Sequence, residues 1–273
     1  MTYQVYEFFT SQEAEQNLLI AVLSENGFDS FEENNDSLKA YIPESILETT
    51  NVIDLLKEYG LDEIEFKVEK LEQKNWNEEW EKNFEPVIIA EKVGIRAPFH
   101  APMSQEIELI IEPKMSFGTG HHHTTALMVE QMLSIDFKDK SVLDFGSGTG
   151  VLAILASKLG ASKIIAIDNE EWAYENCKEN ATRNNVKNIE AILGDDTLII
   201  EEQFDIVLAN INRNVILKNI KQWSNLVLNE GILMVSGILL SDEADILNAA
   251  QQAQLKNPII LRKEGWLAIS FKK

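Results

Sequence analysis

The sequence predicts an α/β protein in which a small α+β ferredoxin-like domain precedes a larger open sheet with one antiparallel edge hairpin. Three observations predict this architecture. Residues 1–70 follow the order β-α-β-β-α-β. From residue 114 onward, short apolar strands alternate with amphipathic helices, as in a mostly parallel sheet. The first of these strands enters a turn with three glycines, Asp144 to Gly150, which opens a helix.

Size and composition indicate a globular protein with one large or two smaller domains. The chain has 273 residues, of which 45% are hydrophobic and 25% charged. No apolar run approaches the roughly 20 residues that span a bilayer. Met1 to Glu15 contains acids and no basic residue, which is unlike a signal peptide. A single cysteine, Cys177, excludes an internal disulfide. We therefore expect no membrane segment and a cytoplasmic location.

The formal net charge is −21. A field of this sign repels nucleic acid and attracts basic partners. We expect no direct nucleic-acid binding, and a basic partner is compatible with the charge.

The N-terminal domain, residues 1–70, shows no glycine loop, metal-ligand cluster or paired catalytic acids. Ser11 is expected to cap its first helix and Pro43 to open its second. The domain is predicted to recognise or position a partner; a purely stabilising role is the alternative. The predicted elements, in order, are Tyr3–Phe9, the helix Glu13–Asn26, Phe28–Glu33, Leu38–Ile42, the helix Pro43–Tyr59 and Ile64–Val68.

A connector, residues 71–113, follows. Its first part, Leu71–Phe84, is a charged helix that places Trp76, Trp80 and Phe84 on one face. Packing on a domain explains this stripe better than a partner surface does. The rest predicts three short strands, at Val87–Ile89, Val93–Arg96 and Ile107–Ile111.

The third region, residues 114–273, carries the alternating pattern. Its last two strands flank a turn and form the edge hairpin. The predicted elements, in order, are the helix Ala126–Ser134, Ser141–Phe145, the helix Val151–Leu159, Lys163–Ile167, the helix Glu171–Asn184, Ile189–Leu193, Phe204–Ala209, the helix Val215–Trp223, Gly231–Ser236, the helix Asp242–Ala253, Ile259–Leu261 and Trp266–Phe271.

Polar residues follow four of these strands. In open α/β sheets, ligands lie at the carboxyl ends of the strands, near the point where the strand order reverses. We therefore expect one site built from four strand ends: the glycines Gly146, Gly148 and Gly150, then Asp168, then Asp195 and Asp196, and finally Asn210 and Asn212.

The spacing of the turn is Asp-x-Gly-x-Gly-x-Gly, which differs from the Gly-x-Gly-x-x-Gly of dinucleotide binders. An acid before the glycines suits a cationic ligand better than a diphosphate. Asp168 stands where a carboxylate accepts from ribose hydroxyls, and Asp195 where one accepts from an adenine amino group. Asp144 or a glycine carbonyl would face an amine. These features favour S-adenosylmethionine, and Asn210 is then a candidate to position an acceptor amine.

The run His121-His122-His123 invites a zinc site. Adjacent histidines in a loop do not readily share one tetrahedral metal, and the remaining histidine is His100. We expect no metal. The loop is interpreted as a lid or wall of the site, with Thr124 or Thr125 capping the following helix and reaching the ligand.

Asp144-Phe145-Gly146-x-Gly148-x-Gly150 together with Asp168 resembles the Rossmann-like class I S-adenosylmethionine-dependent methyltransferases. The segments Phe117 to Thr125 and Ala209 to Ile211 resemble one family among them, the methyltransferases of ribosomal protein eleven of the large subunit. The Trp76-x-x-x-Trp80 connector and the N-terminal domain are similar to that family as well. The resemblance therefore covers nearly the whole chain.

The resemblance implies transfer of methyl groups to lysine side-chain or N-terminal amines of that basic ribosomal protein. It implies cofactor contacts from Thr125 with Thr124 beside it, Gly146, Asp168 and Asn210. It further implies that residues 1–70 recognise the ribosomal protein and that residues 71–113 let them swing over the methyltransferase domain, residues 114–273.

Two positions depart from the family pattern. Asn212 followed by Arg213 stands where a leucine is common, and Ser147 where a cysteine is common. Three alternatives remain open at this point: a methyltransferase for another protein or a small amine, a nicotinamide-dependent oxidoreductase, and a non-enzymatic interaction module.

Overall fold

The computed structural model describes residues 3–43, 46, 51–71, 84–114, 117–198 and 201–273. The chain forms two compact units, Met1–Lys82 and Asn83–Lys273. Among the described residues, no helix combines the length and the apolar character that crossing a bilayer requires.

The elements that the structure describes in the first unit occur in the order β-α-β-β-α-β. Its strands pair antiparallel in the order β2-β3-β1-β4. Phe8 and Leu38 on the sheet and Leu19 and Leu23 on the first helix belong to one buried cluster. The elements are β1 Tyr3–Phe9, α1 Glu13–Glu25, β2 Ser30–Glu33, β3 Ser37–Pro43, α2 Val52–Glu58 and β4 Phe66–Leu71.

The predicted start of α1 at Glu13 is confirmed, but the predicted cap by Ser11 and the predicted helical start at Pro43 were wrong. The residue before α1 is Gln12, which makes no side-chain cap. Pro43 lies opposite Tyr3 as the last residue of β3, because its fixed φ fits an extended strand end as well as a first helical turn. The cap of α2 is Asn51, whose side chain accepts from the Asp54 N–H.

A small three-stranded sheet begins the described part of the second unit, with β5 Val87–Ile89, β6 Val93–Arg96 and β7 Ile107–Ile110. These bounds match the predicted strands closely. The side-chain amide of Asn184 binds the backbone of Ile110, the last residue of β7, accepting from Ile110 N at 2.9 Å and donating to Ile110 O at 2.7 Å. This sheet is therefore fastened to the core of its unit. The predicted helical stripe with Trp76 and Trp80 lies outside the described residues.

The large sheet has seven strands in the order β10-β9-β8-β11-β12-β14-β13, parallel from β10 to β12 and antiparallel at the β14 and β13 edge. The predicted sheet with its edge hairpin is confirmed. Its elements are α3 His123–Met132, β8 Ser141–Phe145, α4 Val151–Lys158, β9 Lys163–Asp168, α5 Glu171–Arg183, β10 Ile189–Leu193, β11 Phe204–Asn210, α6 Arg213–Leu226, β12 Val227–Leu239, α7 Glu243–Gln252, β13 Lys256–Lys263 and β14 Trp266–Lys272.

Helices cover both faces of this sheet. On the central strand β8, Val142 belongs to the buried cluster that includes residues of α3 and α4, and Leu143 to the cluster that includes residues of α6 and α7. The chain runs from β8 outward to β10 and then returns to β11 on the other side of β8. The strand order therefore reverses between β8 and β11, where a ligand site is expected.

Candidate active site

Two adjoining cavities open at the carboxyl ends of β8, β9 and β11. The larger measures about 410 Å³ and the smaller about 360 Å³. The residues that line both are Gly146, Asp168, Asn169, Ile211 and Asn212. The larger is further lined by Phe117, His122, Thr124, Gly148, Trp172, Ala173, Asn210, Gly237 and Trp266, and the smaller by Phe145, Ile167, Gly194, Asp195, Asp196 and Val215.

The glycine turn forms the shared floor of the two cavities. Backbone hydrogen bonds fix it: the N–H groups of Gly146 and Ser147 both donate to Ile167 O, at 2.8 and 3.0 Å. Thr149 attaches the turn to the preceding loop, because its N–H donates to Phe117 O and its hydroxyl donates to Gly118 O. We interpreted the loop from Phe117 to Thr125 as a lid or wall of the site, and Phe117 does line the larger cavity.

Two glycines of the site, Gly148 in the turn and Gly237 in β12, are required because the backbone of another segment comes close to each. Gly148 has φ +54°, and a Cβ there would lie 2.3 Å from the carbonyl oxygen of Phe117. Gly237 has φ +90°, and a Cβ there would lie 2.1 Å from the carbonyl oxygen of Ile211. No side chain fits such distances, so both positions admit only glycine without a backbone shift.

Asp168 and Asp195 differ in how they are held. Asp168 accepts from Gly148 N through Oδ2 at 2.8 Å and from Glu170 N through Oδ1 at 3.1 Å. Each of its oxygens keeps a further lone pair for a ligand hydroxyl. Asp195 accepts from the Thr197 hydroxyl and N–H through Oδ1 alone, and these bonds hold the pKa of its carboxyl below the ordinary value. Its Oδ2 takes part in neither bond.

Asp196 is committed elsewhere. Its carboxylate pairs with Lys218 and accepts from the Asn219 side chain at 3.2 Å. The hydrogen bond from Lys218 is the largest of the causes that lower its pKa. Of the two neighbouring acids after β10, the one outside an ion pair is therefore Asp195.

Asn210 is oriented by Thr125. The Asn210 amide donates from Nδ2 to Thr125 Oγ1 at 3.3 Å, and its Oδ1 is buried without a hydrogen-bond partner. Both threonines are fully buried, but Thr124 lines the larger cavity and Thr125 lines neither cavity. The two neighbouring threonines thus take different positions: one reaches the cavity, and the other stands behind the amide.

Asp144 lies beneath the turn and lines neither cavity. It is 1% exposed, and its Oδ2 accepts from Ala153 N at the first turn of α4, at 3.1 Å. Burial raises the pKa of this carboxyl to about 7. The sequence offered Asp144 or a glycine carbonyl as the group that faces a ligand amine. Because Asp144 does not reach the cavities, the glycine carbonyl is favoured.

The predicted helix cap by Thr124 or Thr125 was wrong, because His122 takes that position. Its Nδ1 accepts from Thr124 N, so the neutral ring carries its proton on Nε2. Burial and the adjacent His123 lower the pKa of His122. His121 instead lies with Nε2 2.9 Å from Glu85 O. Within the described residues, no group of three or more potential metal ligands comes together.

The two tryptophans of the larger cavity, Trp172 and Trp266, were missed by sequence reasoning. Trp266 reaches the cavity because β14 pairs with β12 so that it lies opposite Leu239. Trp172 stands near the start of α5, four residues after Asp168, and is 44% exposed. Its exposed position in a first helical turn beside a predicted ligand acid was a usable signal. Gly237 lies where the β12–β14 register shifts, and a glycine in a strand interior is a signal for close backbone approach.

Arg213 connects two walls of the cleft. It follows Asn212, which caps α6 by accepting from Val215 N. Its guanidinium pairs with Asp242 and Asp245. Asp242 in turn accepts from the N–H of Leu239 at 3.0 Å. The departure from the family pattern at positions 212 and 213 therefore has a structural role, since it ties the start of α6 to the end of β12.

Comparisons with known proteins agree with this geometry. Residues 10–273 match the family described as ribosomal protein L11 methyltransferase. A ribosomal protein L11 methyltransferase of Porphyromonas gingivalis is 41% identical over 265 residues, which cover 95% of this chain and 91% of that protein. Another, of Bacteroides thetaiotaomicron, is 39% identical and covers 99% of both chains. The crystal structure of a ribosomal protein L11 methylase of Lactobacillus delbrueckii subsp. bulgaricus shares the fold, with a TM-score of 0.63, 24% identity and coverage of 70% of this chain and 99% of that one.

Proposed function

The chain belongs to the ribosomal protein L11 methyltransferase family, and we propose that its cleft transfers methyl groups from S-adenosylmethionine to lysine side-chain or N-terminal amines of ribosomal protein L11. The observation that carries the proposal is the convergence of Gly146, Asp168, Asp195 and Asn210 on two adjoining cavities at the reversal point of the sheet. The family match supplies the substrate.

The residues present fit S-adenosylmethionine. In the described part of the chain, no lysine or arginine lines either cavity, which disfavours a diphosphate ligand. The lining groups are carboxylates, amides, glycines and apolar side chains. Such a set suits a molecule that has ribose hydroxyls, an adenine amino group and positive charge.

Residues of the two cavities bind different parts of the cofactor. Asp168 accepts from the ribose hydroxyls, and the Gly148 and Glu170 N–H groups keep its carboxylate in place. Asp195 accepts from the adenine amino group through Oδ2 in the smaller cavity. Gly146 and Thr124 border the amino-acid end. Thr125 contributes by orienting Asn210.

Bound S-adenosylmethionine supplies an activated methyl group, so the protein mainly provides proximity and alignment. Asn210 holds the acceptor amine, whose N–H donates to Oδ1, and thereby aims the nitrogen lone pair. The amine reacts in its neutral form. A lysine amine has an ordinary pKa of about 10.4 and an N-terminal amine about 8, and desolvation in the cavity favours loss of the proton.

The deprotonation does not require His122. Its Nδ1 already accepts from Thr124, and Nε2 of the neutral ring carries a proton. The amine proton therefore passes to solvent at the mouth of the cavity.

The remaining assignments concern the whole chain. Residues 1–70 recognise L11, residues 71–113 connect, and residues 114–273 carry out the transfer, in the cytoplasm. The net charge of −21 steers a basic substrate toward the enzyme and away from nucleic acid.

Methylation of purified L11 with labelled S-adenosylmethionine tests the function directly. We expect label on amines of L11, located by mass spectrometry of its peptides. Label on ribosomal RNA or on a small amine, with none on L11, would contradict the substrate. No cofactor binding by calorimetry would contradict the reaction class.

A further inference from the structure

Two histidines that line neither cavity bind consecutive backbone carbonyls of the second unit. Nε2 of His100 binds Phe84 O, and Nε2 of His121 lies 2.9 Å from Glu85 O. A carbonyl oxygen only accepts, so both rings donate through Nε2. Phe84 is the first residue of this unit that the structure describes. The methyl transfer described above uses neither bond.

The ring of Phe84 lies among the rings of these histidines. Its centroid is 4.5 Å from that of His121, at an interplanar angle of 57°, and 6.1 Å from that of His100, at 13°. Phe99 makes an edge contact with it at 6.3 Å. We name Phe84, Phe99, His100 and His121 the aromatic clasp. Because ring contacts add to the hydrogen bonds, the clasp holds both the backbone and the side chain of residue 84.

A buried ion pair holds one side of the clasp. Arg96 is 9% exposed and binds Glu108, with its Nε 2.8 Å from Glu108 Oε1. Its Nη1 donates to Ala97 O at 3.2 Å and to His100 O at 3.1 Å. The Nδ1 of His100 accepts from Ala97 N at 3.1 Å. Hydrogen bonds from a charged donor are the stronger ones, so His100 is fixed through both its backbone and its ring.

On its other side, the clasp continues into the loop that borders the site. His121 directly precedes His122, which caps α3 and lines the larger cavity. Earlier in the same loop, Phe117 O accepts from Thr149 N, and Gly118 O accepts from the Thr149 hydroxyl. The loop therefore contacts the clasp at one end and the glycine turn at the other.

The loop has little freedom between these two ends. Gly118 has φ +109°, and an added Cβ would lie 2.7 Å from Thr149 Oγ1. Gly120 has φ +93°, and an added Cβ would lie 2.7 Å from Ile95 Cδ1 on β6. Closely packed segments transmit displacements, so a shift at His121 reaches the glycine turn.

We propose that His100 and His121 are positioning residues for the methyl-donor site. By binding residues 84 and 85, they hold the loop from Phe117 to His121 against the glycine turn. A role in global stability alone is the alternative. The exposed position of His121 argues against that alternative, because water replaces such a bond at little net cost to folding. This inference rests on the proposed function, whose donor site it extends.

Calorimetric titration of the full chain with S-adenosylmethionine tests the bond from His121. His121→Leu removes the donor to Glu85 O and should weaken binding about fivefold, as expected for the loss of one hydrogen bond. His121→Gln places an amide N–H near the position of Nε2 and should recover most of the affinity. Unchanged affinity in His121→Leu, or an equal loss in His121→Gln, would overturn the proposal.

A substitution of His100 separates the clasp from the local turn. His100→Asn places an amide oxygen near the position of Nδ1, where it accepts from Ala97 N, but its side chain is too short for Phe84 O. It should weaken cofactor binding about threefold. Affinity equal to that of the parent would contradict a positioning role for His100.

Gln203→Leu is the matched control for both histidines. The Nε2 of Gln203 also donates to a backbone carbonyl, Asn225 O at 2.7 Å, and Gln203 lines neither cavity. Its cofactor affinity should equal that of the parent. The same loss in the control as in His121→Leu would assign the effect to global stability and refute the clasp.

Hydrogen exchange reports on the loop without any ligand. The Thr149 N–H donates to Phe117 O at 2.9 Å. In His121→Leu it should exchange at least about threefold faster than in the parent, and in Gln203→Leu at the parental rate. Equal rates in the two variants would contradict the proposed hold on the loop.

The two readouts distinguish the clasp from the proposed function. If the parent methylates L11 while His121→Leu keeps parental affinity and exchange, the function stands and the clasp is refuted. If His121→Leu speeds exchange at Thr149 and Gln203→Leu does not, but the parent leaves L11 unmethylated, the clasp stands and the function is refuted.

Discussion

The two sides of the cleft are built by different means. On the proposed donor side, backbone groups and glycines form the surface: the turn is held by N–H groups that donate to Ile167 and Phe117, and Asp168 is held by Gly148. On the proposed acceptor side, the surface includes the exposed rings of Phe117 and Trp172, and an ion-pair network at Arg213 lies next to it, outside the cavity lining. A binding surface made of backbone groups is rigid and tolerates few substitutions, whereas a surface made of side chains can rearrange. We expect substitutions on the donor side to act on cofactor binding, and those on the acceptor side to act on the substrate.

The largest effect is expected from Gly148→Ala. The new Cβ would lie 2.3 Å from the carbonyl oxygen of Phe117 at φ +54°, so the turn and the loop must move apart. Calorimetry should show S-adenosylmethionine binding weakened by at least about 100-fold, equivalent to about 3 kcal/mol.

Gly60→Ala is the matched control for that change. Gly60 also has a positive φ, +68°, but nothing lies within 4 Å of an added Cβ. It should cost about 1–2 kcal/mol of folding stability and leave cofactor binding intact. Equal loss of affinity in both variants would show that global stability, not the turn, controls binding.

The buried carboxyl of Asp144 should make the free energy of unfolding depend on pH. Its folded-state pKa is raised to about 7 from 3.8. The folded protein therefore holds this proton more tightly than the unfolded chain, and the contribution of Asp144 to the free energy of unfolding falls between about pH 4 and pH 7. Relative to the parent, Asp144→Asn should gain up to about 4 kcal/mol across this interval. Urea unfolding of both proteins at several pH values measures the difference; parallel curves would contradict the assignment.

Arg213→Ala tests the acceptor side of the cleft. Loss of the pairs with Asp242 and Asp245 should release the start of α6, next to the cavity residue Asn212, from the end of β12. We expect KM for L11 to rise about fivefold, since a partly exposed ion-pair network contributes about 1 kcal/mol, and cofactor affinity to stay unchanged.

Arg262→Ala controls for the loss of a charged pair, because Arg262 binds Glu243 and lines neither cavity. Steady-state kinetics on L11 compares the two variants. If KM rose by the same amount in both variants, the change in net charge, and not the position of Arg213, would explain the effect.

The smallest effect concerns Cys177, which lies against the glycine turn. Burial, and then the charge of Asp144, raises the pKa of its thiol to about 12. Native protein at pH 8 should resist iodoacetamide over hours and react fully in guanidinium, as judged by intact mass. Rapid alkylation of the native protein would show that the donor side opens readily.

The sequence predicted the polar strand ends that line the cavities better than it predicted the tryptophans, for a physical reason. Asp168, Asp195 and Asn210 each follow an apolar strand, and parallel strands bring their carboxyl ends to one edge. Trp266 reaches the cavity through the antiparallel register of β14 against β12, which no local pattern encodes. The cap at His122 was missed because a ring nitrogen took a position that threonine usually fills.

The distinct roles of Thr124 and Thr125 could not be predicted either. Neighbouring residues at a helix start point in different directions, and the contact of Thr125 is with Asn210, on a strand 85 positions away. The same holds for Asp144, whose spacing before the glycines suggested a ligand contact while its strand position buries it.

The most direct test compares S-adenosylmethionine affinity in Asp168→Ala and Trp172→Leu by calorimetry, with KM for L11 measured on both. The account predicts a loss of about 100-fold in Asp168→Ala, because hydrogen bonds to a charged group are lost, and a change within about twofold in Trp172→Leu. It also predicts that Trp172→Leu raises KM for L11. Undiminished cofactor affinity in Asp168→Ala, or an equal loss in both variants, would contradict a cleft with separate donor and acceptor sides.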